Sequence, residues 1–196
     1  MVEGTTVAEA RAHADGETVT VEGYVTVAPG TFTSATGEAG FALADDTGGL
    51  YIRAMDRVAL PVDAHVRVTG VMGQLHQLRV VETTAAAGVT LLTGTRTVAP
   101  MAVATGGVDE SVEGRLVSVS GTLTREIVDD APYGLKVYIG DGSGEVQLFV
   151  HLVGGVGVVD TAGLTLGSSI AVVGLAAQYE TTYEVAPRVA ADLVRR

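Results

Sequence analysis

The sequence predicts an all-β protein made of two tandem five-stranded Greek-key barrels with short helices. One observation is that the same order of strand-like segments occurs twice within 196 residues. A second is that, in each copy, apolar residues alternate with polar ones, as expected for strands with one buried face. The unit of structure is therefore about half the chain, and we expect one domain at 1–96 and a second at 97–196.

Three pairs of segments define the repeat. Residues 45–50 and 141–146 are turns that contain Asp and Gly, and the strand-like segments around them match in the same order. The second copy is longer mainly between its third and fourth strands, a difference that a loop can accommodate. The other matched pairs are 19–25 with 117–123 and 66–70 with 170–174.

A short helix is predicted before the first strand. Thr6 and Glu9 have the spacing of a capping box, in which the Thr side chain caps a backbone amide and the Glu reaches back. The first strand follows at 19–27, and Gly23 within it predicts a bend or a bulge. Residues 117–123 repeat this pattern around Gly121.

The remaining strands form hairpins in both copies. Each copy has a gap between its third and fourth strands, where a helix or loop can lie. Five strands in this order predict the OB-fold, a small and partly open Greek-key barrel. The predicted hairpins are 41–44 with 50–53 and 135–139 with 146–150, the fourth and fifth strands are 66–72 with 78–81 and 170–176 with 183–185, and a last strand of the first copy lies at 89–92.

Composition limits the possible partners. The net charge is −11, shared about equally by the two halves, and such a surface repels phosphate backbones unless a local basic or aromatic patch overcomes it. With no cysteine, disulfides, thiolate nucleophiles and thiolate metal sites are excluded. No apolar stretch approaches the roughly 20 residues of a membrane span, so we expect no membrane partner. The compartment stays open.

Five segments resemble a known family, the tandem OB-fold modules of bacterial exported proteins, which often accompany nucleases of the endonuclease/exonuclease/phosphatase type. The resemblance spans most of the chain, but it consists mainly of strand cores and turns and specifies the ligand poorly. It implies export, to the periplasm or the outside of the cell, with the targeting segment outside this sequence, and a nuclease as a partner. The nuclease domain itself is absent from the sequence, so nuclease activity is not implied. The segments are VEGYV at 21–25, LADDTGGLY at 43–51, VRVTG at 66–70, SVEGRLV at 111–117 and YEVAPR at 183–188.

The hairpin of the second copy is the best candidate binding face. Strand alternation places six aliphatic side chains between Leu135 and Val150 inside the barrel. The opposite face is the usual ligand surface of an OB-fold, and a cation beside two aromatic rings suits the stacking of bases or sugars. The alternative is that these rings pack against the other domain or a neighbouring segment. The outer-face residues are Lys136, Tyr138, Gln147, Phe149 and His151.

Other candidate ligand-binding residues are weaker. The first copy places Tyr51 and Arg53 on its equivalent face, which is poorer in aromatic rings. Tyr179 and Tyr183 belong to the hairpin between the last two strands of the second copy, near a loop that OB domains use to hold strands. Ordinary polar hairpin tips explain these two residues equally well.

Neither a metal site nor a catalytic site is predicted. The turns at Asp45 and Asp141 resemble calcium loops only superficially, because they lack the later bidentate Glu, so we expect hydrogen-bonded Asp turns. The four histidines have no metal-ligand spacing, and no nucleophile elbow, phosphate-binding loop or zinc motif occurs. We therefore expect no cofactor and no enzyme.

Three functions remain open from the sequence. The first is a non-catalytic module that binds single-stranded nucleic acid, or presents it to a nuclease, through the outer hairpin face of the second copy. The second is a protein-interaction or spacer module that uses its exposed strands. The third is oligosaccharide binding, which the acidic charge does not oppose.

Overall fold

The chain divides into two compact units in the computed structural model, which describes residues 4–83 and 88–196. The N-terminal unit is Met1–Ala99 and the C-terminal unit is Pro100–Arg196. Each is built almost entirely from short β-strands. Within the described residues, no helix has the length and apolarity needed to cross a membrane.

The N-terminal unit is a closed five-stranded barrel with one additional strand. Its strands pair in the order β1-β2-β3-β5-β4, and β4 pairs again with β1 to close the barrel. Strands β3 and β5 pair in parallel, as the OB-fold connectivity requires. The elements are α1 (Val7–Arg11), β1 (Thr18–Val27), α2 (Thr33–Thr36), β2 (Phe41–Ala44), β3 (Gly49–Ala54), β4 (Ala64–Leu75), β5 (Leu78–Thr83) and β6 (Val89–Thr95).

The C-terminal unit repeats this barrel with short added strands. Here β8, β10, β11, β14 and β13 pair in that order, and β13 closes on β8, with β11 and β14 parallel. The fold predicted from the sequence is therefore confirmed. The elements are β7 (Met101–Ala102), a 3-10 helix (Thr105–Gly107), β8 (Leu116–Leu123), β9 (Val128–Asp130), β10 (Gly134–Gly140), β11 (Glu145–Val153), β12 (Val156–Gly157), β13 (Ser169–Tyr179), β14 (Thr182–Ala186), a second 3-10 helix (Ala190–Asp192) and β15 (Leu193–Arg195).

The aliphatic residues that alternate along the strands form the two barrel interiors. In the C-terminal unit Val137, Ile139, Val146, Leu148 and Val150 are fully or almost fully buried in one cluster, and Leu135 packs against it. In the N-terminal unit the corresponding cluster combines residues from β1 to β5 with Val7 and Ala10 of α1. The inward half of the alternation pattern is thus confirmed.

Gly23 allows two strands to approach closely, whereas the bulge lies further along β1. A Cβ atom on Gly23 would lie 2.8 Å from Leu43 Cδ1 and 3.0 Å from the carbonyl oxygen of Ala44. The pairing of β1 with β2 shifts register between Val25 and Val27. The predicted irregularity therefore exists, but it does not lie at Gly23. Gly23 lies where β1 ends its pairing with β4 and begins its pairing with β2.

The predicted helix begins as expected. The Thr6 hydroxyl accepts from the Glu9 amide, and the Glu9 carboxylate accepts from the Thr6 amide at 2.9 Å. Alternation did not predict four short strands of the C-terminal unit, because two or three residues do not establish a period. These strands are β7, β9, β12 and β15.

Candidate functional site

The outer face of the β10–β11 hairpin contains the predicted residues in the predicted register. Lys136 lies opposite Phe149, and Tyr138 lies opposite Gln147 on the neighbouring strand. Side chains at such opposed positions are close neighbours on one face of the sheet. His151 continues the same face at the end of the hairpin, opposite Gly134.

Three of these side chains are buried and expose little surface to a ligand. Phe149 is 7% exposed, His151 is 5% exposed and Gln147 is 8% exposed. The Phe149 ring meets His151 edge to face at 5.0 Å, and it lies so close to Gly134 that a Cβ there would be 2.6 Å from Phe149 Cε1. Alternation predicts which face of the sheet a side chain lies on, but not whether another segment covers that face. The burial of these three side chains could therefore not be predicted from the sequence.

Burial also determines the charge of His151. Loss of contact with water lowers the pKa of this imidazole to about 3. His151 is therefore neutral near pH 7 and supplies no positive charge to the face.

The polar side chains deeper on this face bind one another. Gln147 Nε2 donates to Glu184 Oε2 at 2.6 Å across the parallel pairing of β11 with β14. Burial raises the pKa of Glu184 to about 7, against the hydrogen bond from Gln147 and the attraction of Lys136. Lys136 Nζ lies 3.0 Å from Asp130 Oδ2 on β9. The sequence does not associate Glu184 and Asp130 with this face, because both lie outside the predicted hairpin of 135–139 with 146–150.

The more accessible part of the face is a cation–aromatic cluster. The Arg125 guanidinium lies 4.4 Å from the centroid of the Tyr138 ring. Arg125 Nε also donates to Glu145 Oε2 at 3.0 Å, and the Arg125 side chain is 59% exposed. Hydrogen bonds from Thr124 and Arg125 outweigh partial burial and lower the pKa of Glu145. We call Arg125, Lys136 and Tyr138 the Tyr138 cluster.

Arg125 was not identified from the sequence. It follows β8 in an irregular segment, and no periodicity connects it with β10. The backbone amide of Thr124 donates to the carbonyl oxygen of Tyr138 at 3.0 Å, which brings the segment alongside the strand. Only the tertiary pairing reveals this contact.

The equivalent face of the N-terminal unit is closed over Tyr51. Tyr51 is 1% exposed, so its ring is covered in this arrangement of the chain. Its hydroxyl donates to Glu38 Oε1 at 3.1 Å, and Phe32 lies beside its ring. Arg53 keeps a 35% exposed side chain and pairs with Glu82 at 2.9 Å. Phe32 and Glu38 belong to the segment between β1 and β2, which no periodicity in the sequence assigns to this face.

The two remaining predicted residues lie on the β13–β14 hairpin. Tyr179 pairs with Thr182 at its tip and is 55% exposed. Tyr183 packs against the barrel core, and its hydroxyl donates to Glu110 Oε2 at 3.2 Å. Tyr183 is thereby tied to the segment before β8.

The two Asp turns are hydrogen-bonded structures, as predicted. Asp45 accepts from the amides of Val7, Thr47 and Gly48 at 2.8–2.9 Å. Asp141 accepts from Thr105 and Ser143, and these hydrogen bonds hold its pKa well below the usual range. Across residues 4–83 and 88–196, no group of three or more His, Asp or Glu residues is arranged to hold a metal ion.

Most basic side chains are already paired with carboxylates. Of the twelve lysine and arginine residues, at least eight form ion pairs within the described parts of the chain. Any phosphate backbone would have to compete with these internal partners. The paired residues are Arg53, Arg67, Arg79, Arg96, Arg125, Lys136, Arg188 and Arg195.

Comparisons with known proteins identify no family. No protein-family model and no curated protein matches the sequence. A HINb domain is similar at 13% identity and a TM-score of 0.45, over 89% of this chain and 95% of that one. A murine DNA-binding protein bound to double-stranded DNA matches at 10% identity and a TM-score of 0.44, over 85% and 90%. The single-stranded DNA-binding protein from Thermus aquaticus matches at 13% identity and a TM-score of 0.30, over 93% and 94%. Similarities this low carry no inference about the ligand of this chain.

Proposed function

We propose that the protein is a non-catalytic module that binds single-stranded nucleic acid through the Tyr138 cluster of the C-terminal unit. The observation that carries the proposal is the Arg125 guanidinium 4.4 Å from the Tyr138 ring, with Lys136 two residues away on the same strand face. This is the face and the strand pair that OB-folds use for oligonucleotides. Aromatic and guanidinium planes stack on any base, so the site requires no sequence preference.

The expected affinity is modest. One stacked base contributes about 1–3 kcal/mol, and Arg125 and Lys136 must exchange Glu145 and Asp130 for phosphate. A net charge of −11 further opposes the approach of a polyanion. These quantities together favour weak binding that is strongest at low salt.

The proposal extends to presentation of a single strand to a nuclease or another protein partner. Its support is the resemblance of the chain to OB-fold modules that accompany such enzymes. Weak and non-specific binding suits this role, because the nucleic-acid strand must be released to the partner.

Fluorescence anisotropy with a labelled oligothymidylate tests the proposal in about 50 and 200 mM salt. We expect binding at low salt that weakens at high salt, and an approximately tenfold loss in Tyr138→Leu and in Arg125→Gln. Arg195→Gln is the matched control, since Arg195 also forms an exposed ion pair, with Asp160, but lies on β15. No binding at about 50 µM protein in low salt, or equal losses in all three variants, would overturn the proposal.

A second candidate function is protein interaction through an edge strand. In the described chain β6 pairs only with β4, and Leu91 on β6 is 60% exposed. An open edge with exposed apolar side chains is a template for pairing with another strand. Light scattering after size exclusion tests the homotypic form: we expect association that Leu91→Lys abolishes, whereas Val62→Lys, at a loop position of the same unit, does not. A strictly monomeric wild-type protein contradicts it.

A further inference from the structure

The outer face of the β2–β3 hairpin is covered by the chain's own segment 28–40. Phe32 lies beside Tyr51, with ring centroids 6.5 Å apart and planes inclined by only 24°. Both rings are buried, Phe32 at 4% and Tyr51 at 1% exposure. The segment therefore occupies the surface on which an OB-fold normally holds its ligand.

A carboxylate accompanies the ring. Glu38 Oε1 accepts from the Tyr51 hydroxyl at 3.1 Å, and Glu38 Oε2 lies 3.8 Å from Arg53 Nε. An aromatic plane beside Tyr51 and a carboxyl group between a hydroxyl and a guanidinium correspond to the base and the phosphate of a nucleotide. Burial raises the pKa of Glu38 to about 7, so this carboxyl is only partly ionised near neutral pH. Arg53 remains accessible from outside, with 35% of its side chain exposed.

The closed arrangement leaves hydrogen-bonding capacity unused. Within the described residues, neither Glu38 Oε2 nor Arg53 Nε has a hydrogen-bond partner, although both atoms are buried. A buried polar atom without a partner destabilises the state that contains it. Closure of the segment is thus less favourable than its packing alone would make it.

The segment is a compact loop whose two ends meet. The amide of Gly30 donates to the carbonyl oxygen of Gly40 at 2.9 Å, so the two ends of the loop meet. Gly37, which ends α2, has φ 69°, a left-handed conformation that glycine adopts without strain. The segment is joined to β3 where the amide of Ala39 donates to the carbonyl oxygen of Ala54 at 3.0 Å, so its displacement must break this hydrogen bond.

We propose that segment 28–40 covers a second nucleotide-binding face, made of Tyr51 and Arg53, and occupies it in place of a nucleotide. Displacement of the segment opens this face. Phe32 occupies the place of the base and Glu38 the place of the phosphate. The inference shares its ligand class with the proposed function but uses a different unit and different residues.

The test uses the full chain in a Tyr138→Leu/Arg125→Gln background, which removes the face assigned to the C-terminal unit. Oligothymidylate of about 15 nucleotides and free thymidine monophosphate are titrated against Phe32→Ala, Glu38→Gln and the control Ala35→Ser, which alters an exposed position of α2. We expect Phe32→Ala and Glu38→Gln to bind about tenfold or more tightly than Ala35→Ser, and Arg53→Gln to cancel the gain. Binding of the monophosphate assigns the face to single nucleotides, and binding of the oligomer alone assigns it to strands.

Hydrogen exchange distinguishes displacement of segment 28–40 from unfolding of the barrel. We expect faster exchange across 28–40 in Phe32→Ala and in Glu38→Gln, with protection of β1 and β4 unchanged. If Phe32→Ala unfolds the barrel, the milder Glu38→Gln decides alone. Faster exchange of the segment without any gain in binding overturns the inference, as does a gain that persists in Arg53→Gln. Because the background lacks the Tyr138 cluster, failure of one proposal leaves the other intact.

Discussion

The carboxylate of Asp45 accepts a hydrogen bond from the backbone amide of Val7 at 2.9 Å, across 38 residues of sequence. This contact fastens the start of α1 to the β2–β3 turn. Burial raises the pKa of Asp45, but the hydrogen bonds from Thr47, Val7 and Gly48 outweigh it and hold the pKa below its usual range. Asp141 accepts the equivalent hydrogen bond from the amide of Thr105 at 3.1 Å, so the same kind of contact occurs in both barrels.

Asp45→Ala is expected to destabilise the protein by about 1–3 kcal/mol, because the amides of Val7 and Gly48 lose their acceptor together in a partly buried position. Equilibrium denaturation by urea measures the change. Asp129→Ala is the matched control: Asp129 accepts from the Ala131 amide in an exposed local turn, so its loss should have a smaller effect. Equal losses in the two variants would show that the link to α1 adds nothing. The folded-state pKa of Asp45 is lowered, so its contribution is present above pH of about 4 and is lost as the pH falls further.

Glu184 makes the protein less stable as the pH rises. Burial raises its folded-state pKa to about 7, above the ordinary value of 4.5, so the folded protein retains a proton that the unfolded chain releases. Stability is therefore lost between pH of about 4.5 and 7, by an amount on the order of 3 kcal/mol. Glu184→Gln should remove this loss. The difference in free energy of unfolding between variant and wild type is expected to grow across that range and then level off. A difference independent of pH would contradict the assignment.

His151 acts in the opposite direction at lower pH. Burial lowers its folded-state pKa to about 3, so below the ordinary value of 6.5 the unfolded chain takes up a proton that the folded protein does not. Between pH of about 6.5 and 5 this costs about 2 kcal/mol of stability. His151→Asn, which does not titrate, should lose less stability than wild type over that interval. Denaturation curves at several pH values measure the free energy of unfolding of both proteins. The same dependence on pH in the variant and in the wild type would contradict the prediction.

The sequence predicted the barrel interiors but not the surfaces over them. Spacing in β10 and β11 assigned Val137 and Leu148 to the core, because alternation follows directly from strand geometry. The same alternation placed Phe149 on the outer face, where it is nevertheless buried. Whether an outward side chain is exposed depends on the segments that lie over it. Such segments are irregular and show no hydrophobic periodicity from which their position could be predicted.

The candidate site shows the same division. Lys136 and Tyr138 were predicted because they lie on a regular strand. Arg125, which completes their cluster, and Glu38, which closes the face over Tyr51, lie in irregular segments and are positioned by tertiary hydrogen bonds. Local sequence therefore identified residues on strands and missed their partners from loops.

Gly134 supports the buried aromatic pair, and its replacement tests that packing. A Cβ atom there would lie 2.6 Å from Phe149 Cε1 and 2.7 Å from the carbonyl oxygen of Val150. The backbone atom cannot rotate away, so Gly134→Ala is expected to destabilise the protein by about 1–3 kcal/mol and to alter the ring resonances of Phe149 and His151. Gly73→Ala is the matched control in a strand, because its Cβ would meet only the Glu82 side chain at 3.7–3.9 Å. Urea denaturation and NMR measure the two effects, and a Gly134→Ala protein as stable as the control would mean that Phe149 does not lie across β10 as described.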